Sequence, residues 1–305
     1  MAFLTRQKFA WVKLADNLGI TDSARDCAQV FEYRGRLWMN DGYKPGNINT
    51  DDLLASSDGV KWQVVTAPLP CDKYTPAGVH KVGDVEYMFF VDQQVRRTSD
   101  GVSFTTIPAN NPPPYTPEGA LVSLNGKMHI VGRTHCYSSV DGSDWVHTPV
   151  PWPMRAARAT CLFNGRVYVM AGAADVMNAP PEVGYPAFTT MNEVWSTHDP
   201  EDPGAWVNHG KAPWRPRMWP GLAVHDGALY LFGGYDNTAP GSNNWSDTWR
   251  MDVDGKWERL ELVSEIPNGR HAPALYSRNG RLMLACGNSN RGTNIQPDVW
   301  ELRLV

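Results

Sequence analysis

Four arginines stand at one fixed distance ahead of a turn glycine. Arg25, Arg155, Arg217 and Arg270 each lie ten residues before Gly35, Gly165, Gly227 and Gly280. Arg158 adds a fifth nearby, Trp219 follows Arg217 closely, and His271 adjoins Arg270. A guanidinium presents a planar fork that matches the two oxygens of a carboxylate. If these equivalent positions converge in space, they form a cationic ring suited to an acidic ligand. Two further repeats carry Lys73-Tyr74 and Tyr115-Thr116 at the same place, so aromatic side chains interrupt the ring. A second reading stays open beside it: the arginines bridge neighbouring repeats through acids and touch no ligand.

Other chemistry is sparse. The eight histidines show no HxH or HExxH spacing, and the sequence has no GxSxG elbow and no phosphate loop. Five cysteines form no CxxC pair, which points to reduced thiols and to no metal site. Glu118, Glu182 and Glu193 could approach a common mouth, yet no acid–base pair can be named from spacing alone. No catalytic residue can be named from the sequence, and no cofactor is expected. A net charge of -4 without a basic run gives no reason to expect nucleic acid. No apolar stretch reaches membrane-spanning length, and the first residues lack the long apolar core of a signal peptide. A cytoplasmic location is the expectation, or a virion if the source is viral.

The elements that must position these residues are read from a repeat. A hairpin recurs as FEYRGRLWMN, HKVGDVEYMFF, LVSLNGKMHIVG, TCLFNGRVYVMAG, LAVHDGALYLFGG and LYSRNGRLMLACG. Its NG, DG and RG pairs suit two-residue turns that need positive φ. Each hairpin is followed by a variable loop and a third strand, which ends in NEVW, SDTW or PDVW in three repeats. A polar turn and an aromatic then open a fourth strand at Trp62, Phe104, Trp145, Trp206 and Trp257. The sixth such aromatic is missing at the C-terminus, and Trp11 in KFAWVKL stands at the other end.

This pattern predicts an all-β chain forming one domain over 1–305, a six-bladed β-propeller. The blades are expected at about 25–67, 74–108, 115–149, 155–210, 217–262 and 270–305. Residues 8–14 complete the last blade, so the N-terminal strand closes the ring and covers its raw edges. Loops between the second and third strands are long in repeats 1, 4, 5 and 6 and short in repeats 2 and 3. They carry Tyr43, Tyr185, Phe188, Tyr235 and Trp245 among Asn, Gly and Pro. Such rings suit stacking on a sugar or gripping a protein.

GALYLFGG followed by Asp-x-Trp resembles the kelch repeat, and the likeness runs through essentially the whole chain, best in repeats 4 to 6. SSDGVKW, TSDGVSF and SVDGSDW resemble a shortened Asp box, in which an Asp accepts backbone N–H bonds and pins a turn. The resemblance implies the galactose-oxidase-central-domain type of propeller. It also implies a non-catalytic recognition or structural module that binds a glycan or protein at the propeller mouth. Lone propellers with such turns resemble phage virion appendages, which would place the chain in a larger assembly or in host recognition. The alternative implied by the kelch likeness is an enzyme on an acidic sugar, similar to sialic acid mutarotases.

Overall fold

Two successive residues with positive φ make five of the inner hairpin turns, those among the described residues. The pairs are Arg34-Gly35, Asn125-Gly126, Asn164-Gly165, Asp226-Gly227 and Asn279-Gly280, all left-handed at both positions. That geometry matches the right-handed twist of the flanking strands, and Asn, Asp and Gly tolerate it best. The second strand is buried on both faces in the hairpins at Lys127–Val131, Arg166–Met170 and Ala228–Phe232. This explains why these segments read as unbroken apolar runs rather than as alternation.

The computed structural model describes residues 7–40, 42–46, 48–66, 77–82, 85–92, 94–114, 120–174, 189–236, 244–264, 266–289 and 294–305. Among them, five sheets are four-stranded antiparallel blades, numbered here in chain order. Blade 1 runs Gln29–Tyr33, Arg36–Asn40, Leu53–Ser56 and Gln63–Thr66 from inside to outside. Blades 2, 3, 4 and 5 begin with Ala77–Val82, Ala120–Leu124, Ala159–Phe163 and Gly221–His225 and repeat the order. Beside two short two-stranded ribbons, Tyr43–Lys44 with Ile48–Asn49 and Ala173–Ala174 with Thr189–Thr190, one further sheet has five strands and joins the N-terminal strand to the C-terminal one. Its order is Ala274–Arg278, Arg281–Ala285, Val299–Leu304, Lys8–Ala15 and Glu261–Leu262.

The expectation of six like blades is corrected accordingly: five regular blades stand beside one closing sheet of a different build. The strand Lys8–Ala15 pairs antiparallel with Val299–Leu304, with Trp11 opposite Leu302. It is not the outermost strand, as the sequence led us to expect. Glu261–Leu262 leaves blade 5 and pairs in parallel with Lys8 and Phe9, covering that edge.

The innermost strands follow one another around a cavity, and Gln29–Tyr33 lies against both Ala77–Val82 and Ala274–Arg278. Main-chain bonds join successive sheets at one rim of this ring. Gly172 N donates to Arg217 O, Gly234 N to Arg270 O, and Gly287 N to Arg25 O, at 2.8–2.9 Å. A second set runs nearer the axis: Trp219 N to Ala157 O, Ala272 N to Trp219 O, and Cys27 N to Ala272 O. The last bond of each set ties the closing sheet to blade 1.

The polar turns before the fourth strands act as pins. Asp58 Oδ1 accepts from Val60 N and Lys61 N, and Asp100 Oδ1 from Val102 N and Ser103 N, all within 2.9 Å. Hydrogen bonds from Ser103 N, then Val102 N and the Thr98 hydroxyl, hold the Asp100 carboxyl well below the usual range. The glycines of the blade 1 and blade 2 turns dock on the preceding sheet. A Cβ on Gly101 would strike the Trp38 ring, and one on Gly59 would strike Met283 and Tyr276. Among the described residues no helix is long and apolar enough to cross a membrane.

Candidate functional site

The arginine positions converge on one rim, but their guanidinium groups turn into their own sheets. Arg25, Arg155, Arg217 and Arg270 are all buried. Arg25 pairs with Asp52, Arg155 with Glu193, Arg217 with Asp247 and Arg270 with Asp298. Each acid precedes or opens the third strand of the same sheet, so the pairs lie within sheets and do not join neighbours through acids. Three of them also donate to the carbonyl that ends their own hairpin, at Ala171, Gly233 and Cys286. Trp249 and Trp300 donate to the acids Asp247 and Asp298 from the other side. The Asp-x-Trp motif is thereby explained as the far half of a buried Arg–Asp–Trp tie. Arg217 and Arg270 form such ties, and Arg25 and Arg155 make ion pairs with Asp52 and Glu193 without a Trp donor, so the four guanidinium groups do not form an open cationic ring.

Arg158 differs. Its guanidinium donates to Arg155 O and Val131 O, and it lines the central cavity of about 430 Å³ together with Cys27, Gln29, Glu32, Thr160 and Trp219. Trp219 is half-buried and left-handed at φ 50°. Behind it His271 packs with both blade 5 rings, its centroid 5.5 Å from Trp219 and 5.5 Å from Tyr235. Trp245 lies elsewhere, its indole over Arg215 and Arg217. Tyr43 exchanges both main-chain bonds with Asp26. Tyr74, Tyr115 and Tyr185, with Lys73, Thr116, Phe188, Glu118 and Glu182, lie outside the described residues.

Next to Arg25 and Arg270 the rim gathers polar groups that spacing did not single out. Asp26 Oδ2 accepts from Asn288 Nδ2 at 2.9 Å, which links blade 1 to the closing sheet. Asn288 also exchanges main-chain bonds with His271. His271 Nδ1 lies 2.8 Å from Asn244 Oδ1 of blade 5, which can only accept, so that nitrogen carries the proton. Burial pushes the His271 imidazole down to about 4, so it is neutral at physiological pH. Burial likewise raises the Asp26 carboxyl to about 6, against the opposing hydrogen bonds from Asn288, Cys27 and Tyr43. Three successive sheets thus place an amide pair, a neutral imidazole and a reluctantly ionised carboxyl behind one half-buried indole. Among the described residues no group of three His, Cys, Asp or Glu is placed to hold a metal.

A carboxyl with a raised folded pKa weakens the fold once it ionises. Its contribution is fully present below about pH 4 and is lost as pH rises through about 6. Asp26→Asn is therefore expected to raise stability at pH 7.5 by about 1–3 kcal/mol, with no gain at pH 4. Urea unfolding of both proteins at the two pH values measures this, and a gain equal at both would refute the assignment.

The fold and the rim define a β-propeller with a polar, aromatic-bordered mouth. Its similarity to the solved structure of YjhT agrees on the fold: 12% identity over 90% of this chain and 94% of that one, with a TM-score of 0.65. No family model matches the chain, and no curated protein matches it.

Proposed function

We propose that this chain is a non-catalytic recognition propeller that binds a glycan at the rim formed by blade 5, the closing sheet and blade 1. On this reading the closing sheet is the sixth blade of a kelch-type ring, and the pinned turns are shortened Asp boxes. The observation that carries the proposal is the neutral His271 set between Trp219, Tyr235 and Asn244. Uncharged donors and acceptors beside an indole suit hydroxyl groups on a sugar ring better than they suit a fully charged ligand. The acidic-sugar enzyme is less well supported, because the arginines that would clamp its carboxylate are engaged in buried ion pairs.

A glycan array followed by calorimetry tests the proposal. Trp219→Ala is expected to weaken binding of the best glycan at least about tenfold while the far-ultraviolet spectrum stays that of the parent. A glycan bound equally well by Trp219→Ala and by Asp26→Asn would place the site elsewhere.

A further inference from the structure

The turn before Trp257 is built differently from its counterparts. In blade 1 the pinning acid Asp58 stands four residues before Trp62, whereas in blade 5 Asp252 stands five before Trp257. Asp252 Oδ1 accepts from Asp254 N and Lys256 N, which spreads the turn over the extra residue. Its glycine no longer docks. Gly59 and Gly101 press on the preceding sheet, but Gly255 has open space where a Cβ would stand. A cavity of about 500 Å³ is left at the outer rim between blades 4 and 5.

One wall of this cavity is basic. Arg166 and Lys211 line it and make no ion pair with the described residues. Arg166 Nε donates to Ser196 Oγ, and that hydroxyl also lies 2.8 Å from His209 Nε2. Arg166, Lys211 and His209 thus line the same cavity, with Arg166 and His209 tied to one hydroxyl. Asp254 faces them from the turn, and the half-buried Trp257 forms part of the apolar floor with Met251 and Val194.

We infer that this cavity is a second binding site, distinct from the channel mouth, for a small hydroxy-carboxylate such as a sugar acid. The carboxylate meets the Arg166 fork and Lys211, a hydroxyl donates to Asp254, and the ring skeleton covers Trp257. The site rests on its own residues and survives or fails independently of glycan binding at the mouth.

His209 supplies an internal reporter. Burial and then the charge of Arg166 hold its imidazole below the ordinary value. Arg166 and Tyr168 of the same sheet adjoin it, the Tyr168 ring stacked on the imidazole at 6.0 Å, and Lys211 on its own strand and Asp254 on the blade 5 turn line the same cavity. A carboxylate seated among them favours the imidazolium, so binding raises the His209 pKa and strengthens as pH falls through it.

The experiment titrates His209 by NMR in the full chain with D-glucuronate, D-glucose and acetate as probes. Glucuronate is expected to bind at least about tenfold more tightly than either control and to raise the His209 pKa. Lys211→Gln, at an exposed position, and Arg166→Gln should each weaken it about tenfold, while Trp219→Ala leaves it unchanged. Glucuronate binding no tighter than the controls, an unmoved His209, or parental affinity in both charge variants would each overturn the inference.

Discussion

Trp11→Ala is expected to lower the unfolding free energy by about 3–5 kcal/mol, the range for a fully buried aromatic. The indole is 2% exposed and lies between the closing sheet and blade 5. It meets Phe232 edge-on at 5.5 Å, and its Nε1–H donates to Thr248 Oγ1 at 3.1 Å. Alanine leaves a cavity beside Tyr230, Leu260 and Leu302 and removes the partner of a buried hydroxyl. Trp11→Phe keeps most of the packing and loses only the hydrogen bond, so its cost should be less than half as large. Urea unfolding followed by tryptophan fluorescence and by circular dichroism measures both variants. A single transition at lower urea in both signals is the expected form, because the strand joins the first residues to the last sheet. Loss confined to a local signal, with the main transition unmoved, would show that the strand is an appendage.

The same strand shows what the sequence could carry. Trp11 was legible because a repeat lacked one aromatic at its end and had one spare at its start. The type I′ turns and twice-buried second strands were legible for a similar reason, since φ and burial act on adjacent residues. The arginines were legible as positions but not as roles. Their acids lie 27 to 38 residues downstream, beyond loops of unequal length. Of the polar rim, His271, Trp219 and Tyr235 were legible as positions, but the groups that link them across sheets were not. Asp26 and Asn288 are 262 residues apart and meet only because the ring closes, so no local spacing marks them. The cavity at blade 5 escaped for the opposite reason: DVDGKW resembles the other turns, and one extra residue before Trp257 changes where its glycine points.

The buried ion pairs give the second large effect, and Arg217→Ala is the sharpest case. Arg217 is fully buried and makes a two-pronged contact with Asp247, Nη1 to Oδ1 at 2.6 Å and Nη2 to Oδ2 at 2.9 Å. Nη1 also donates to Gly233 O, and Nε to Arg215 O. Removing the guanidinium leaves a largely buried carboxylate whose remaining side-chain donor is Trp249, Nε1 to Oδ2 at 2.7 Å. An uncompensated buried charge of this kind costs about 3–5 kcal/mol. Arg217→Lys restores the charge without the planar fork, so it should recover only part of that loss. The pH dependence separates this tie from a ligand clamp. Burial raises the Asp247 carboxyl, yet the bonds and charge of Arg217 outweigh it and hold the group below its ordinary value. A depressed acid stabilises the fold above its unfolded pKa of about 4, and the contribution fades as pH falls through the lower folded value. In Arg217→Ala the carboxylate can protonate readily, so the gap between variant and parent should narrow as pH drops from 7 toward 3. Thermal or urea unfolding across that range measures the gap directly. A penalty that stays constant with pH would mean that lost packing, not the stranded carboxylate, sets the cost.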